Sequence, residues 1–401
     1  MKIIKDPVHG YVEVEEGILP ILDSPPVQRL RYIRQLGFSH LVYPGANHTR
    51  FEHALGTMYL AGMLSRQLGL APDETAIVTT AALLHDIGHG PYSHATEPLM
   101  RTYTGRDHTD IRGLLTAGDL AGRLEERGID PAEIAALVDG THRLAGIIHG
   151  ELDVDRMDYL LRDAHYTGVP YGTVDAQRLI HSIKLAEPGI VLDESGIHAA
   201  ESLLIARTLM RPAVYFHHVG RIAESMILHA ATEHLRATGI GGAPALLAQD
   251  DTAFTHALLA SPSDDARAMV DRILHRRLYK RALWAGHDAV NAQVLSVQTG
   301  LAGERTIADA IAEAAGVAPG DVLVDIPPIP PHMSVEVQVT NRHDLVDLEQ
   351  ISPLVGTLNR TRREQWRMGV YAAPDRREQV EAAAIEVLHV RKPTRQDKLG
   401  V

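Results

Sequence analysis

Residues 81–94, AALLHDIGHGPYSH, place His85, Asp86, His89 and His94 within one short stretch. Imidazole nitrogen together with carboxylate oxygen suits Zn, Mn or Fe, and Mg where more oxygens join. Adjacent residues in a helix point different ways, but where a helix ends they can bracket one ion lying beyond its last turn. A His-Asp dipeptide is common, so a metal centre needs further ligands from elsewhere. Two segments offer them. Asn47–His53, NHTRFEH, opens an amphipathic helix with apolar positions Phe51, Leu55, Met58, Ala61, Leu64 and Leu68, and His53 falls beside that stripe. In residues 151–163, ELDVDRMDYLLRD, a helical reading puts Met157, Leu160, Leu161 and Ala164 on the core face. Asp155, Tyr159 and Asp163 then share the adjacent face, one turn apart. A plain solvated row of aspartates is the other reading of that face.

The elements that must hold these residues are helical. Asp73 is expected to cap the helix carrying the apolar run Ala76–Leu84, with Glu74 in its first turn and Gly88, Gly90 and Pro91 ending it. Residues 1–16 read as a hairpin turning at Asp6–Gly10. Helices are expected at about 18–23 and 26–36, and from His94 to about residue 290, with Pro212 kinking the long segment Ala199–Thr238. From about residue 291 to 401 the pattern becomes a small α+β appendage. Its strands are Val322–Ile326, Val335–Val339 and Arg367–Tyr371, and its last helix spans Asp375–Leu388. The fold class is therefore mainly α: a helical unit over 1–290 with an N-terminal β-hairpin, then the appendage. Aromatic residues make up only 4% of the 401, so the core must be aliphatic.

A net charge of −12 argues against a broad nucleic-acid surface, while leaving room for a local basic pocket. The absence of cysteine excludes disulfides, thiolate zinc sites and thiol catalysis. No signal peptide and no run of about 18 apolar residues is present, which reads as a soluble cytoplasmic protein without a membrane partner.

The order His53 … His85-Asp86 … Asp155 resembles the HD-domain metal-dependent phosphohydrolases. Within them, residues 6–16 (DPVHGYVEVEE), 28–36 (QRLRYIRQL), 44–57 (PGANHTRFEHALGT), 84–94 (LHDIGHGPYSH) and 153–163 (DVDRMDYLLRD) resemble the deoxynucleoside triphosphate triphosphohydrolases. That group includes the vertebrate SAM-and-HD-domain dNTPase and its bacterial and archaeal relatives. The resemblance is strong over roughly residues 1–235.

The resemblance implies one divalent metal per chain (Mn, Fe, Zn, Ni or Mg) on His53, His85, Asp86 and Asp155, with further Mg accompanying the phosphates. It places His89, His94 and His108 around those phosphates, His94 protonating the departing 5′ oxygen. Two departures bear on this: Thr109 follows His108 where relatives carry glutamate, and Glu97 stands where they often have aspartate. Arg50, Arg156 and Arg207 match phosphate contacts, with Arg156 replacing a common lysine. Arg207, Arg211 and Tyr215 follow one another at four-residue spacing, which suggests a shared cleft face. Gln35 and Asp163 would bond the 3′ hydroxyl, Tyr159 and Tyr215 would crowd the 2′ position, and His165 and His217 would lie nearby. Lys2, Asp23, Gln28 and Arg31 match positions that bind a guanine nucleotide activator, GTP or dGTP, between subunits of a dimer or tetramer. The implied reaction is dNTP hydrolysis to deoxynucleoside and inorganic triphosphate. An HD phosphohydrolase acting on nucleoside monophosphates, cyclic nucleotides or alarmones is the first alternative, and a catalytically weak nucleotide-binding regulator the second.

Overall fold

A computed structural model describes residues 1–186, 189–290, 300–330, 338–341 and 344–390. Helices dominate, and three helices assemble the centre. Arg50–Leu68 packs against both Pro72–Leu84 and Val154–Thr167, burying Leu55, Met58, Leu64, Leu83, Leu84, Met157 and Leu160 in one core. Each start is set locally. Thr49 donates its backbone N–H to Glu52 at 2.7 Å, closing a reciprocal cap three residues apart. Asp153 accepts the Arg156 N–H at 2.7 Å and so starts the Val154–Thr167 helix. The third helix begins earlier than Asp73 suggests. Pro72, with φ preset and no donor to lose, takes the first position, and Glu74 accepts the Ala71 N–H at 3.2 Å. Asp73 therefore lies in the first turn.

Strands are β1 (Lys2–Asp6), β2 (Gly10–Val14), β3 (Ile183–Ala186), β4 (Gly189–Asp193), β5 (Lys280–Gly286), β6 (Val322–Asp325), β7 (Gln338–Asn341), β8 (Asp344–Asp347) and β9 (Arg367–Ala372). The expected hairpin is β1–β2, antiparallel with Lys2 opposite Val14 and Asp6 opposite Gly10. Val12 and Val14 face the core while Tyr11 is exposed, the alternation a half-buried hairpin requires. Three strands interrupt the stretch read as helix before residue 290. β3 and β4 pair antiparallel and continue through β7 to β8, while β5 and β6 flank β9. Short apolar runs such as Ile190–Leu192 fit helix and strand alike, and pairing across the chain settles them. The expected strand at 335–339 lies outside the described residues as far as 337. The last helix is Arg377–Val387, and it packs on Leu301–Ala315 and β5.

Two further expectations change. Residues 33–36 are not helical: after Arg29 one 3₁₀ turn ends at Tyr32, Arg34 bridges to Thr49, and Gln35 sits in the turn that follows the bridge. The Ala199–Thr238 segment splits at Pro212 into Ile197–Met210, a wide π turn at Arg211–Tyr215, and His218–Thr238. Proline lacks the donor for a regular turn, and the wider turn re-aims the side chains that follow. No helix among the described residues is long and apolar enough to cross a membrane.

Candidate active site

His53, His85, Asp86 and Asp155 converge where the three central helices meet. His53 Nε2 lies 3.3 Å from His85 Nε2, 2.9 Å from Asp155 Oδ1 and 3.7 Å from Asp86 Oδ2. His85 caps the C-terminus of Pro72–Leu84, which is how its side chain and that of Asp86 reach the same point. The tautomers are legible from the outer nitrogens. His85 Nδ1 is 2.8 Å from the Ala82 carbonyl, which can only accept, so this nitrogen donates. His53 Nδ1 is 2.8 Å from Asp158 Oδ2, again an acceptor. Both Nε2 atoms are then bare lone pairs facing one another and a carboxylate. Such a set repels itself unless a cation sits among its members, and the mixed nitrogen and oxygen donors fit a divalent transition metal. The titration behaviour agrees. Burial pulls the His53 pKa down, yet Asp155 and Asp158 together push it to about 10, a proton taking the cation's place. Burial likewise opposes ionisation of Asp86, and Arg50, His85 and His89 outweigh it, holding that carboxyl well below its usual range.

A buried network missed by sequence reasoning stands behind His53. Asp158 accepts from His53, from His9 Nε2 at 2.6 Å and from Arg162 at 2.9 Å, and Arg162 continues to Asp6 at 2.8 Å. Asp158 and Arg162 are both fully buried. Gly56 makes room for them: a Cβ there would meet Asp158 Oδ1 at 1.8 Å. The i,i+4 spacing of Asp158 and Arg162 was the available signal, but it reads equally as a surface pair.

His89, His94 and His108 also come together. The His89 and His108 rings stack at 4.0 Å, and His94 stands edge-on to both at 5.0 and 5.5 Å. Gly88 permits this, since a Cβ would meet the His108 carbonyl oxygen at 2.1 Å. His108 Nδ1 is 2.9 Å from Glu97. The longer glutamate thus reaches the imidazole despite both departures from the relatives' pattern. These four residues could also be taken for a metal cluster. However, the in-plane lone pairs of two parallel stacked rings cannot converge on one ion between them. Hydrogen bonding to an anion demands less. His89 Nδ1 is buried without a partner, free to serve such an anion. Burial, with Arg50 and His108 adding to it, brings the His94 pKa down to about 4. His94 is nonetheless open to the cleft.

The cleft above these groups, about 410 Å³, is lined on its far side by Gln35, Tyr159, Asp163 and Tyr215. Tyr159 and Tyr215 meet edge-to-face at 5.9 Å. Tyr215 donates to Asp163 Oδ2 at 2.9 Å, and His48, another residue not anticipated, bonds Asp163 Oδ1 at 2.8 Å. Gln35 keeps a buried, unpartnered Oε1. Arg50 lines the cleft but already bonds Asp86 at 2.6 Å and Ser93 at 2.7 Å.

Other expected positions fall elsewhere. Arg156 pairs with Asp153 and Arg207 with Glu151, both outside the cleft lining. The π turn takes Arg211 off the Tyr215 face and into a neighbouring cavity of about 260 Å³, which His217 also lines. His165 is exposed and packs edge-on against Tyr166. Gln28 accepts from Arg31 Nε at 2.8 Å, and the Arg31 guanidinium lies 3.5 Å over the Phe51 ring. Lys2 and Asp23 are exposed on separate elements.

Helices converging on paired histidines and aspartates in this order define an HD domain, and the family models agree. Residues 50–163 match the HD domain and residues 174–399 the HD associated region. The chain belongs to this HD phosphohydrolase family, in the group that carries the associated region. It is 33% identical over 385 residues to an uncharacterised protein of Methanocaldococcus jannaschii, covering 94% of this chain and 80% of that one. It is 38% identical over 247 residues to the uncharacterised YwfO of Bacillus subtilis, covering 58% of this chain and 56% of the relative. The deoxynucleoside triphosphate triphosphohydrolase SAMHD1 of Homo sapiens is 30% identical over 342 residues, 70% of this chain and 54% of that protein. The chain thus spans little more than half the length of those last two relatives. A crystal structure of a hypothetical protein from Aquifex aeolicus superposes with a TM-score of 0.73 at 28% identity, over 95% of this chain and 99% of the other.

Proposed function

We propose that the protein hydrolyses deoxynucleoside triphosphates to deoxynucleoside and inorganic triphosphate. One observation carries the reading: Tyr159 and Tyr215, with Asp163 bonded between Tyr215 and His48, form a rigid wall one to two turns beyond Asp155 on the same helix. Each turn advances about 5.4 Å, so a sugar joined to a phosphate at Asp155 reaches Tyr159. The two rings would crowd a 2′ hydroxyl there, and exclusion by a wall that cannot yield is steep. Gln35 Oε1 and Asp163 are left to accept from the 3′ hydroxyl.

His53, His85, Asp86 and Asp155 would hold the metal. When bound, it supplies Lewis-acid polarisation of the α-phosphate and a more acidic water. Arg50 fixes the Asp86 carboxylate and brings positive charge to the cleft floor. His89 offers its unpartnered Nδ1 to a phosphate oxygen. His94, open to the cleft, gives a proton to the departing 5′ oxygen, because a bound polyanion favours its protonated form. His108, steadied by Glu97, supports His94 from behind. Gln28 and Arg31, already in contact, would with Lys2 and Asp23 take a guanine nucleotide between chains of a dimer or tetramer, which light scattering with and without GTP tests.

Incubation with dGTP and with GTP, in Mn or Mg, followed by separation of products, tests the reaction. Triphosphate and deoxyguanosine from dGTP, with little turnover of GTP, is the expected result. Release of orthophosphate or pyrophosphate instead would refute it.

A further inference from the structure

Arg362 lies in the Pro353–Glu364 helix of the associated region, on the face that also buries Val355 and Leu358. These apolar residues share a core with Leu203 and Leu204 of the Ile197–Met210 helix, so the two helices pack and Arg362 points inward between them. Its side chain is 4% exposed, and its Nη1 is buried with no hydrogen-bond partner. A guanidinium carries five donors and cannot shed its charge, so leaving it buried without an anion is costly. The groups around it do not supply one. Glu151 is taken by Arg207 and lies 4.0 Å from Arg156, and Asp153 is taken by Arg156. Arg211 stacks on Phe216 at 3.8 Å. Four arginines thus face two carboxylates behind Tyr159, in a chain whose net charge is −12. The crowding registers on the arginines themselves. Burial first, then Arg207, brings the Arg362 pKa down to about 10 despite Glu151, while burial and Arg362 do the same to Arg211.

We infer that Arg362 completes, with Arg207 and Arg156, a subsite for the terminal phosphate of the substrate's triphosphate, supplied by the associated region to the HD domain's cleft. The inference rests on the triphosphohydrolase reading for the identity of the substrate, but the anion site itself does not. The placement favours a phosphate tail over an unrelated anion. Arg156 directly follows Asp155 and stands three residues before Tyr159, a cleft residue, on one helix, and the Ile197–Met210 helix that carries Arg207 packs on both that helix and the Pro353–Glu364 helix. A tail that displaces Glu151 from Arg207 would find three guanidinium groups in one place, with bidentate geometry available to each.

Binding of inorganic triphosphate to the full chain, measured calorimetrically, tests this without requiring turnover. Arg362→Met keeps the stem's packing and removes the charge, and Arg362→Lys keeps the charge and the fold while losing the fork. Arg363→Met, on the exposed side of the same helix, is the control. Loss of one charged hydrogen-bonding group predicts binding about 10- to 100-fold weaker in Arg362→Met, with partial recovery in Arg362→Lys and none lost in the control. In turnover, KM for the nucleoside triphosphate should rise more than kcat falls. Parent-level triphosphate affinity in a folded Arg362→Met or Arg362→Lys would overturn the inference even if the parent releases triphosphate from dGTP. Loss of affinity in Arg362→Met would uphold the anion site even if dGTP proved not to be a substrate.

Discussion

Replacing Asp158 with asparagine changes one oxygen to an amide and should empty the metal site from behind. Asp158 accepts from His53 Nδ1 at 2.8 Å through Oδ2, and from His9 at 2.6 Å through Oδ1, with Arg162 Nε and Nη2 at 2.9 Å on the two oxygens. All four contacts need an acceptor, and asparagine has only one carbonyl oxygen. If its amide group faces His53, Nδ1 must accept, the proton moves to Nε2, and the lone pair that would hold the ion disappears. If the amide faces His9 instead, His53 keeps its tautomer but an amide N–H meets the Arg162 fork in a fully buried site. Loss of such an outer partner commonly weakens metal binding by about 10- to 100-fold, or roughly 1.4–2.7 kcal/mol. The damaged Arg162 contact adds a stability loss of on the order of 1–3 kcal/mol, softened because Asp6 still holds Nη1 at 2.8 Å. The two effects separate experimentally. Competition against a chromophoric chelator reads metal affinity, and thermal unfolding of metal-stripped protein reads the network. Asp158→Asn and Asp158→Ala variants that both bind metal as tightly as the parent would refute the tautomer argument, whatever happens to their melting temperatures.

Shortening Tyr159 to alanine should raise GTP turnover relative to dGTP while lowering both in absolute terms. Equal kcat/KM for the two nucleotides in the parent protein would remove the steric gate. Gly56→Ala should destabilise by about 1–3 kcal/mol, because its Cβ would lie 1.8 Å from Asp158 Oδ1, although the same exchange in an open helix is favourable. Urea titration decides between the two signs. Glu304 accepts the Ile326 N–H at 2.9 Å, and burial, aided by Asp325, raises its pKa from 4.5 to about 7. Between those values the unfolded chain has lost a proton that the folded one keeps, so stability falls as pH rises through the window and is flat on either side. Glu304→Gln removes that dependence. Its unfolding free energy should gain on the parent's by on the order of 2 kcal/mol from pH 5 to pH 8, read as a rising difference in melting temperature, and parallel profiles would exclude the assignment.

The candidate donor set was legible through the resemblance of the order His53, His85-Asp86, Asp155 to the HD-domain phosphohydrolases. His53, His85, Asp86 and Asp155 are each placed by local helix geometry, by a Thr49–Glu52 cap, by a helix ending at Leu84 and by a periodic stripe through Met157 and Leu160. Those are short-range effects, written in spacings of three and four. The row Asp155, Tyr159, Asp163 was legible for the same reason. What the spacing could not say was which charges are buried against which. Asp158 and Arg162 look like an ordinary surface pair until the Arg50–Leu68 helix covers them at Gly56, and His48 is one histidine among 23 until Asp163 arrives opposite it. Strands β3 and β4 and the π turn at Pro212 were likewise beyond reach, since partners distant in the chain decide between near-equal local conformations. Arg362 is the clearest case. Nothing in NRTRREQ separates it from Arg360 or Arg363, and only the packing of its helix against the Ile197–Met210 helix turns that one guanidinium inward and out of water.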